Sequence, residues 1–291
     1  MGTILSYPDL TLGATLSGGS WQSAYPLTML KNSELKQKAR STNALTTSTI
    51  VIADLGATPR AVSCLAILSH NISFAGSIRA QGYSNSACTA LVPGADSGIM
   101  YAYPQTLTAE MAQQYPDNWI FAFATPKTAR YWKFTIVDTG NLNGWIEFGR
   151  LWIGEGTLAP ATSISYGSSL VYESRDVVVE SLGGNMLGVS KTPRRVATVT
   201  FETLVGTEKQ QALLMQKTLG KLGELLYVMN SAAQPIDMIM ESFLATMRTT
   251  DPLAYPFFGV TSQPLELVEI INTVNYVYLY GGSPTDVSAR Q

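Results

Sequence analysis

His70, Cys64 and Cys88 are the residues with which this chain of 291 amino acids could do nucleophilic or metal chemistry, since it contains one histidine and two cysteines. A Ser-His-Asp triad would have to use His70, but no G-x-S-x-G motif is present. One histidine and two distant cysteines do not supply a usual zinc ligand set. His70 ends an apolar run, and we interpret it as a hydrogen-bonded core or loop residue. Cys64 lies inside that run, which indicates a buried free thiol; a Cys64–Cys88 disulfide is the alternative.

Carboxylate pairs and glycine-rich loops give no stronger indication of catalysis or cofactor binding than His70 and the two cysteines do. Asp138 and Glu147 could in principle serve glycoside hydrolysis, but comparable pairs occur in any sequence. We expect Glu147 to form an ion pair with Arg150 or Arg130. Phosphate-loop and dinucleotide fingerprints are absent, and no segment has the carboxylate density of an EF-hand loop. The sequence therefore predicts a protein that is not an enzyme and that has no metal and no cofactor.

Composition narrows the possible partners. Hydrophobic residues make up 46% of the chain and charged residues 14%, against roughly 25% charged residues in an average soluble protein. The net charge is −2 and basic residues are not clustered, which disfavours nucleic acid as a partner. No run approaches the roughly 20 apolar residues of a membrane span, so we expect no membrane insertion. The first residues lack a basic segment and a long apolar core, so we expect no signal peptide and folding in a cytoplasm.

The first half of the chain is typical of an all-β unit. Residues 128–156 contain three of the five tryptophans and indicate two strands joined by a polar turn. The second of these strands is predicted over 145–154, and residues 61–69 indicate a central strand buried on both faces. Residues 84–118 are rich in Gly, Pro, Ser and Tyr and predict a long irregular loop, either one that mediates an interaction or one that is poorly ordered. We predict one β-sandwich domain over residues 1–156.

The second half is predicted to be a β-rich domain over 166–282, after a linker at 157–165 and before a flexible tail at 283–291. One amphipathic helix is expected at about 207–226, with Thr207 and Gln210 forming a capping box. Its apolar stripe comprises Ala212, Met215, Leu219, Leu222 and Leu226. A Gly183-Gly184 turn is also expected. Further strands are predicted at 170–173, 175–181, 187–190, 195–201, 225–230, 237–249 and 265–280.

Several short pieces, in order, resemble a known domain type. Residues 12–156 resemble the galactose-binding-like β-sandwich (jelly roll) of the discoidin, or coagulation factor 5/8 type C, family in the version found in bacteriophage tail proteins. The second half is similar, in its element order, to the β-barrel or sandwich of ring-forming distal tail proteins. The pieces that carry the first resemblance are Gly19-Ser20-Trp21, Tyr25-Pro26-Leu27, 39–42, 52–56, 68–71, 76–79, 129–132 and 144–154.

The resemblance implies a structural virion protein of a long-tailed phage, at the tail tip or baseplate. Its partners would then be other tail proteins: the tail tube, the hub and neighbouring copies of itself in a homo-oligomeric ring. It would reside in the virion, and in the host cytoplasm during assembly.

The alternative is that the sandwich is a host-surface carbohydrate-binding adhesin of the tail. In galactose-binding-like modules the ligand usually lies on loops at one end of the sandwich, where aromatic rings stack on sugars. Core or subunit-interface packing is the competing interpretation of each aromatic residue. The candidate ligand or interaction residues in loops are Trp21, Tyr25, His70, Asn71, Tyr83, Tyr101 and Tyr103.

Overall fold

The computed structural model describes residues 2–180, 186–257, 260–271, 275–278 and 285–286, and the prediction of a mainly β fold is confirmed. The strands are β1 (Ile4–Ser6), β2 (Thr15–Ser17), β3 (Ala39–Arg40), β4 (Ile50–Asp54), β5 (Arg60–Leu68), β6 (Ser77–Tyr83), β7 (Leu91–Asp96), β8 (Met100–Tyr101), β9 (Asn118–Ala129), β10 (Tyr131–Val137), β11 (Glu147–Phe148), β12 (Arg150–Gly154), β13 (Ser169–Glu173), β14 (Val177–Glu180), β15 (Met186–Lys191), β16 (Arg194–Leu204), β17 (Glu224–Val228), β18 (Phe243–Met247), β19 (Ala254–Phe257), β20 (Val260–Glu269), β21 (Asn275–Tyr278) and β22 (Thr285–Asp286). The helices are α1 (Ala109–Ala112), α2 (Thr207–Leu219) and α3 (Pro235–Glu241).

Two sheets face each other in the first unit. One has the order β2-β4-β10-β6-β7 with β8 also on β6, and the other has the order β12-β5-β9. Strand β10 buries Trp132, Phe134 and Ile136 and leaves the residues between them half-exposed, which is the period of a strand with one buried face. Strand β5 is buried almost throughout, as its continuous apolar run predicts. Side chains from both sheets meet in one core, so this unit is a sandwich.

The second unit is based on a seven-stranded sheet in the order β1-β17-β18-β20-β16-β13, with β19 also on β20. Strand β1 comes from the start of the chain, within the residues predicted to form the first domain, yet it pairs antiparallel with β17 of the second unit. Isolated bridges then join Leu5 to Leu158 and Asp9 to Gly154. Residues 4–9 therefore run between the two units and bond to both.

The helices differ from prediction in extent and number. Helix α2 ends at Leu219 because Gly220 follows with φ +53°. Leu222, expected on its apolar stripe, is exposed, and the segment around Leu226 is strand β17. Thr207 does not cap the helix; instead, the backbone N–H of Val205 donates to the Glu208 carboxylate at 3.2 Å. All helices of the described part of the chain are too short or too polar to cross a membrane.

Several predicted strands are divided in the structure. The segment 237–249 starts as helix α3, with Pro235 in the first turn, before β18 begins. The predicted strand 145–154 is two strands, β11 and β12, interrupted at Gly149, where a Cβ would lie 2.3 Å from the Leu35 carbonyl oxygen. Of the predicted strand 265–280, β20 ends at Glu269, and β21 pairs with β15 in a different sheet.

Two predictions fall largely or wholly on residues that the structure does not describe. The Gly183-Gly184 turn lies outside the described residues. So does the predicted flexible tail at 283–291, apart from Thr285–Asp286, which pair with β21. The loop-rich segment 84–118, by contrast, is described in full, and it contains the short elements β7, β8 and α1.

An apolar cluster joins the two units. It draws side chains from the three-stranded sheet of the sandwich, from β1 and from the strands and helix of the second unit that face them, and Trp152 is fully buried within it. Such a shared core resists relative motion of the units, because protein interiors are close-packed. The cluster comprises Ile4, Leu35, Cys64, Ala66, Leu68, Ile120, Trp152, Leu226, Val228, Met238 and Leu244.

Arg150, beside this cluster, is 1% exposed and binds both units. Its Nη2 lies 3.0 Å from the buried carboxylate of Asp9 and 2.8 Å from that of Glu224 at the start of β17. Its Nη1 donates to the carbonyl oxygen of Asn32 at 2.7 Å. Burial raises the pKa of Asp9 above its ordinary value, against the opposing effect of the Arg150 cation. Charges that have lost this much water persist only when they are paired in this way.

We expect Arg150→Met to destabilise the protein by about 3–5 kcal/mol, because the Asp9 carboxylate would stay buried without its cation. The free energy of unfolding from urea titration measures this. Arg60→Met is the matched control: it breaks an ion pair with Glu155 in which the arginine side chain is 47% exposed, and should cost less than about 1 kcal/mol. Equal losses in the two variants would contradict the role given to Arg150.

Candidate functional site

The guanidinium of Arg40 contacts two aromatic rings at the surface of the sandwich. Its Cζ atom is 4.5 Å from the ring centroid of Tyr25 and 4.8 Å from that of Trp145. Both distances are within the range of cation–π contacts. Tyr25 is 41% exposed and Trp145 is half-buried, so both rings remain accessible. We call Tyr25, Lys38, Arg40, Trp145 and Glu147 the aromatic–arginine patch.

Strand register positions the charges of the patch. Strand β3 pairs with β11 so that Arg40 lies opposite Glu147. Arg40 donates from Nε to Glu147 at 2.9 Å, and Lys38 approaches the other carboxylate oxygen at 3.3 Å. Lys38 and Arg40 point to the same side of the sheet because the residue between them, Ala39, points into the core.

The prediction that Glu147 forms an ion pair with Arg150 or Arg130 is wrong, because its partners are Arg40 and Lys38. Arg130 binds Asp54 at 2.8 Å, and Arg150 binds Asp9 and Glu224. The partner of Glu147 depends on the register of β3, a two-residue strand whose position no local pattern in the sequence reveals.

Asn71 positions the loop that carries Trp145. Its Nδ2 donates to the Trp145 carbonyl at 3.0 Å, and its Oδ1 accepts from the backbone N–H of Glu147 at 2.8 Å. Behind it, the buried Asp138 carboxylate accepts from Ser73 and from Asn141. These hydrogen bonds satisfy the Asn71 side chain within the protein and hold the backbone at Trp145 and Glu147 in place.

Trp21 lies on the same part of the sandwich. Its ring meets Phe148 edge-on at 5.9 Å between centroids, and its Nε1 donates to the carbonyl of Gly18 at 3.1 Å. Gly19 beside it has φ +61°, and a Cβ there would lie 2.5 Å from two backbone carbonyl oxygens, so the turn requires glycine. Trp21 is therefore held rigidly, with its ring half-exposed.

The other predicted site residues lie elsewhere. Tyr83 and Tyr103 are buried, with their hydroxyls donating to Gln81 and Asp117 respectively. A buried ring presents no face to a ligand. Tyr101 is 52% exposed, but it lines a separate apolar pocket of about 140 Å³ beside α3.

His70 is a buried core residue and belongs to no surface site. Its Nδ1 accepts from the backbone N–H of Ile72 at 3.3 Å, and its ring meets Tyr103 edge-on. Burial lowers its pKa to about 4, although Asp117 and Asp138 favour the cation. The imidazole is therefore neutral at physiological pH.

The two cysteines are free thiols, as the preferred interpretation of Cys64 predicts. Burial raises the pKa of Cys64 to about 12, which leaves it protonated and unreactive. The alternative, a Cys64–Cys88 disulfide, does not form.

Sequence reasoning named Trp21, Tyr25 and Asn71 from this part of the molecule but missed Lys38, Arg40 and Trp145. The alternation of charged Lys38 and Arg40 around Ala39 was an available signal for a half-exposed strand. Trp145 was assigned to a strand, whereas it lies in the loop before β11. The assembled patch offers two ring faces, a planar cation and an ammonium group, which can bind a ligand but do not form a nucleophile–base pair.

Comparisons with known proteins give fold-level likeness only. No protein-family model matches the chain, and no curated protein sequence matches it. Among solved structures, it resembles the family 32 carbohydrate-binding module of Clostridium perfringens NanJ in complex with galactose, at 17% identity and TM-score 0.37, over 53% of this chain and 99% of the module. It also resembles a family 32 module from a family 31 glycoside hydrolase of Clostridium perfringens, at 11% identity and TM-score 0.36, over 51% of this chain and 99% of the module.

A third likeness is to the family 32 module of AlyQ in complex with 4,5-unsaturated mannuronic acid, at 15% identity and TM-score 0.33, over 51% of this chain and 96% of the module. These matches are carbohydrate-binding modules of the galactose-binding-like type, and none of the three is described as a phage tail protein. Because identities are below 25% and TM-scores below 0.5, these likenesses establish no function for this chain.

We expect stability to fall between neutral and mildly acidic pH because of His70. In the unfolded chain the histidine has a pKa of about 6.5, whereas in the folded protein its pKa is about 4. Between these pH values the unfolded state binds more protons than the folded state, so acid favours unfolding. The stabilisation is therefore present above pH 6.5 and is lost as the pH falls through this window. Between pH 7.5 and about pH 4.5, wild type should lose about 2 kcal/mol more unfolding free energy than His70→Asn. Equal losses in the two proteins would show that His70 is not buried as a neutral group.

Proposed function

We propose that this protein is a non-catalytic carbohydrate-binding protein, and that the sugar binds at the aromatic–arginine patch. The observation that carries the proposal is that the Arg40 guanidinium contacts the accessible rings of both Tyr25 and Trp145. Aromatic faces bind the apolar faces of sugar rings, while charged donors bind sugar oxygens strongly. Loop residues held on a rigid sandwich commonly form binding sites.

The geometry of the patch favours recognition over simple packing. Arg40 is held by Glu147, so its guanidinium is oriented before a ligand arrives, and the Asn71 hydrogen bonds fix the backbone at Trp145 and Glu147. Preorganisation lowers the entropic cost of binding. Trp21, on the same part of the sandwich, supplies a further half-exposed ring.

We expect Trp145→Ala and Arg40→Ala each to weaken glycan binding by about tenfold or more, equivalent to ~1.4 kcal/mol. A glycan array, followed by calorimetry with galactose and with a uronic acid, measures this. Tyr166→Ala is the matched control, because that ring is fully exposed and lies in the second unit. Circular dichroism confirms that each variant is folded. Unchanged binding in both patch variants would contradict the proposal.

A second candidate function is a structural subunit of a phage tail tip or baseplate, residing in the virion and contacting other tail proteins and copies of itself. It is supported by apolar side chains exposed on the second unit. Val171 is 56% exposed on β13, the last strand of its sheet among the described residues, and Val177 and Val178 are exposed on β14. An edge strand with exposed apolar residues is a template for pairing with another chain. The two functions are compatible, because they use different units.

If copies of the chain assemble through β13, Val171→Lys should shift the protein from oligomer to monomer in analytical ultracentrifugation, because it introduces repelling charges at the edge. Val137→Lys, at the end of β10 in the sandwich and 42% exposed, is the control and should leave the assembly unchanged. A wild-type protein that stays monomeric at every concentration would contradict this candidate.

A further inference from the structure

A cleft of about 610 Å³ lies between the two units, outside the aromatic–arginine patch. One wall is the sandwich segment 113–118 with Lys38, and the other is formed by Tyr172, residues 190–193 and residues 269–271 of the second unit. Its volume falls within the 300–1,000 Å³ typical of ligand sites, which are often found at junctions between domains. The junction core and Arg150 keep the two walls in a fixed arrangement.

The lining is chemically suited to a hydroxyl-rich ligand. Uncharged polar side chains on the two walls can donate to or accept from sugar hydroxyls, and two tyrosines, Tyr115 and Tyr172, supply aromatic surface. Tyr172 is 47% exposed. The polar members of the lining include Gln113, Gln114, Asn118 and Ser190.

Charge in the cleft favours an acidic ligand. Its cationic side chains are Lys38, Lys191 and Arg195, and its carboxylates are Asp117 and Glu269. Arg195 is fully buried and binds Glu269 and two backbone carbonyls. The Arg195–Glu269 pair therefore has no net charge, and its guanidinium is already occupied within the protein. Lys38 and Lys191 are on opposite walls; Lys38 is paired with Glu147 of the patch, and Asp117 accepts from Tyr103. The lining therefore carries one more cationic side chain than carboxylates, with Lys191 as the added positive charge on the wall of the second unit.

The cleft and the patch meet at Lys38. This residue lines the cleft, and its ammonium group is 3.3 Å from Glu147, which Arg40 also binds. We propose that a sugar chain bound at the patch continues past Lys38 into the cleft, so that the ligand is an extended acidic oligosaccharide held by both units. This inference rests on the proposed function, since the patch anchors one end of the chain.

The test is calorimetry with oligomannuronates, from the monosaccharide to the octasaccharide, at low ionic strength. Affinity should rise by about tenfold or more with length, until the chain reaches Lys191. Lys191→Gln should abolish this rise and leave monosaccharide binding unchanged, whereas Arg40→Ala should weaken every member of the series. Lys217→Gln, which makes the same charge change on an exposed position of α2, should have no effect.

The outcomes separate this inference from the proposed function. If the monosaccharide binds but affinity does not increase with chain length, or increases equally in Lys191→Gln, the proposal that the cleft binds the sugar chain is overturned and the proposal for the patch is not. Binding of neutral galacto-oligosaccharides in preference to oligomannuronates overturns the acidic class alone. Failure of every sugar to bind wild type overturns both the inference and the proposed function.

Discussion

The relative placement of the two units depends on the ion pairs and the hydrogen bond that the buried guanidinium of Arg150 forms. It is the point where the start of the chain, the sandwich and the second unit meet, through Asp9, Asn32 and Glu224. An arginine can satisfy three groups at once because its planar fork presents five donors. Removing water from these charges is costly, so the arrangement survives only if all partners are in place together. Specific orientation, more than added stability, is what such a network contributes.

The junction core supplies the stabilisation that the buried charges do not. Trp152 and Cys64 come from the three-stranded sheet, and they share one buried cluster with Leu226 and Leu244 of the second unit. The pairing of β1 with β17 adds backbone hydrogen bonds across the same boundary. The two walls of the cleft at this junction are therefore held in a fixed relative position, and a site made from both walls keeps its shape. A flexible linker between independent domains would not provide this.

Hydrophobic patterns within single segments of the sequence correctly predicted strands β10 and β5. The alternation in β10 and the continuous apolar run of β5 both follow from which faces are buried. Helix α3 was missed because its Ile and Met residues resemble a strand, although Pro235 and Asp237 are typical of a first helical turn. Two features had no local signal: the pairing of β1 with a strand more than two hundred residues away, and the register that brings Arg40 to Glu147. Long-range pairing decides both.

The same distinction explains why the candidate site was only half predicted. Trp21 and Tyr25 could be named because aromatic residues in turns are visible in a sequence. Arg40 becomes a candidate only when the fold brings it against both Tyr25 and Trp145. His70, the residue with the most obvious chemistry, is one that the fold withdraws from solvent and keeps neutral. The single imidazole and the Cys64 thiol are buried, whereas the Arg40 guanidinium and the rings of Tyr25 and Trp145 lie at the surface, and this contrast supports the proposed role in ligand binding.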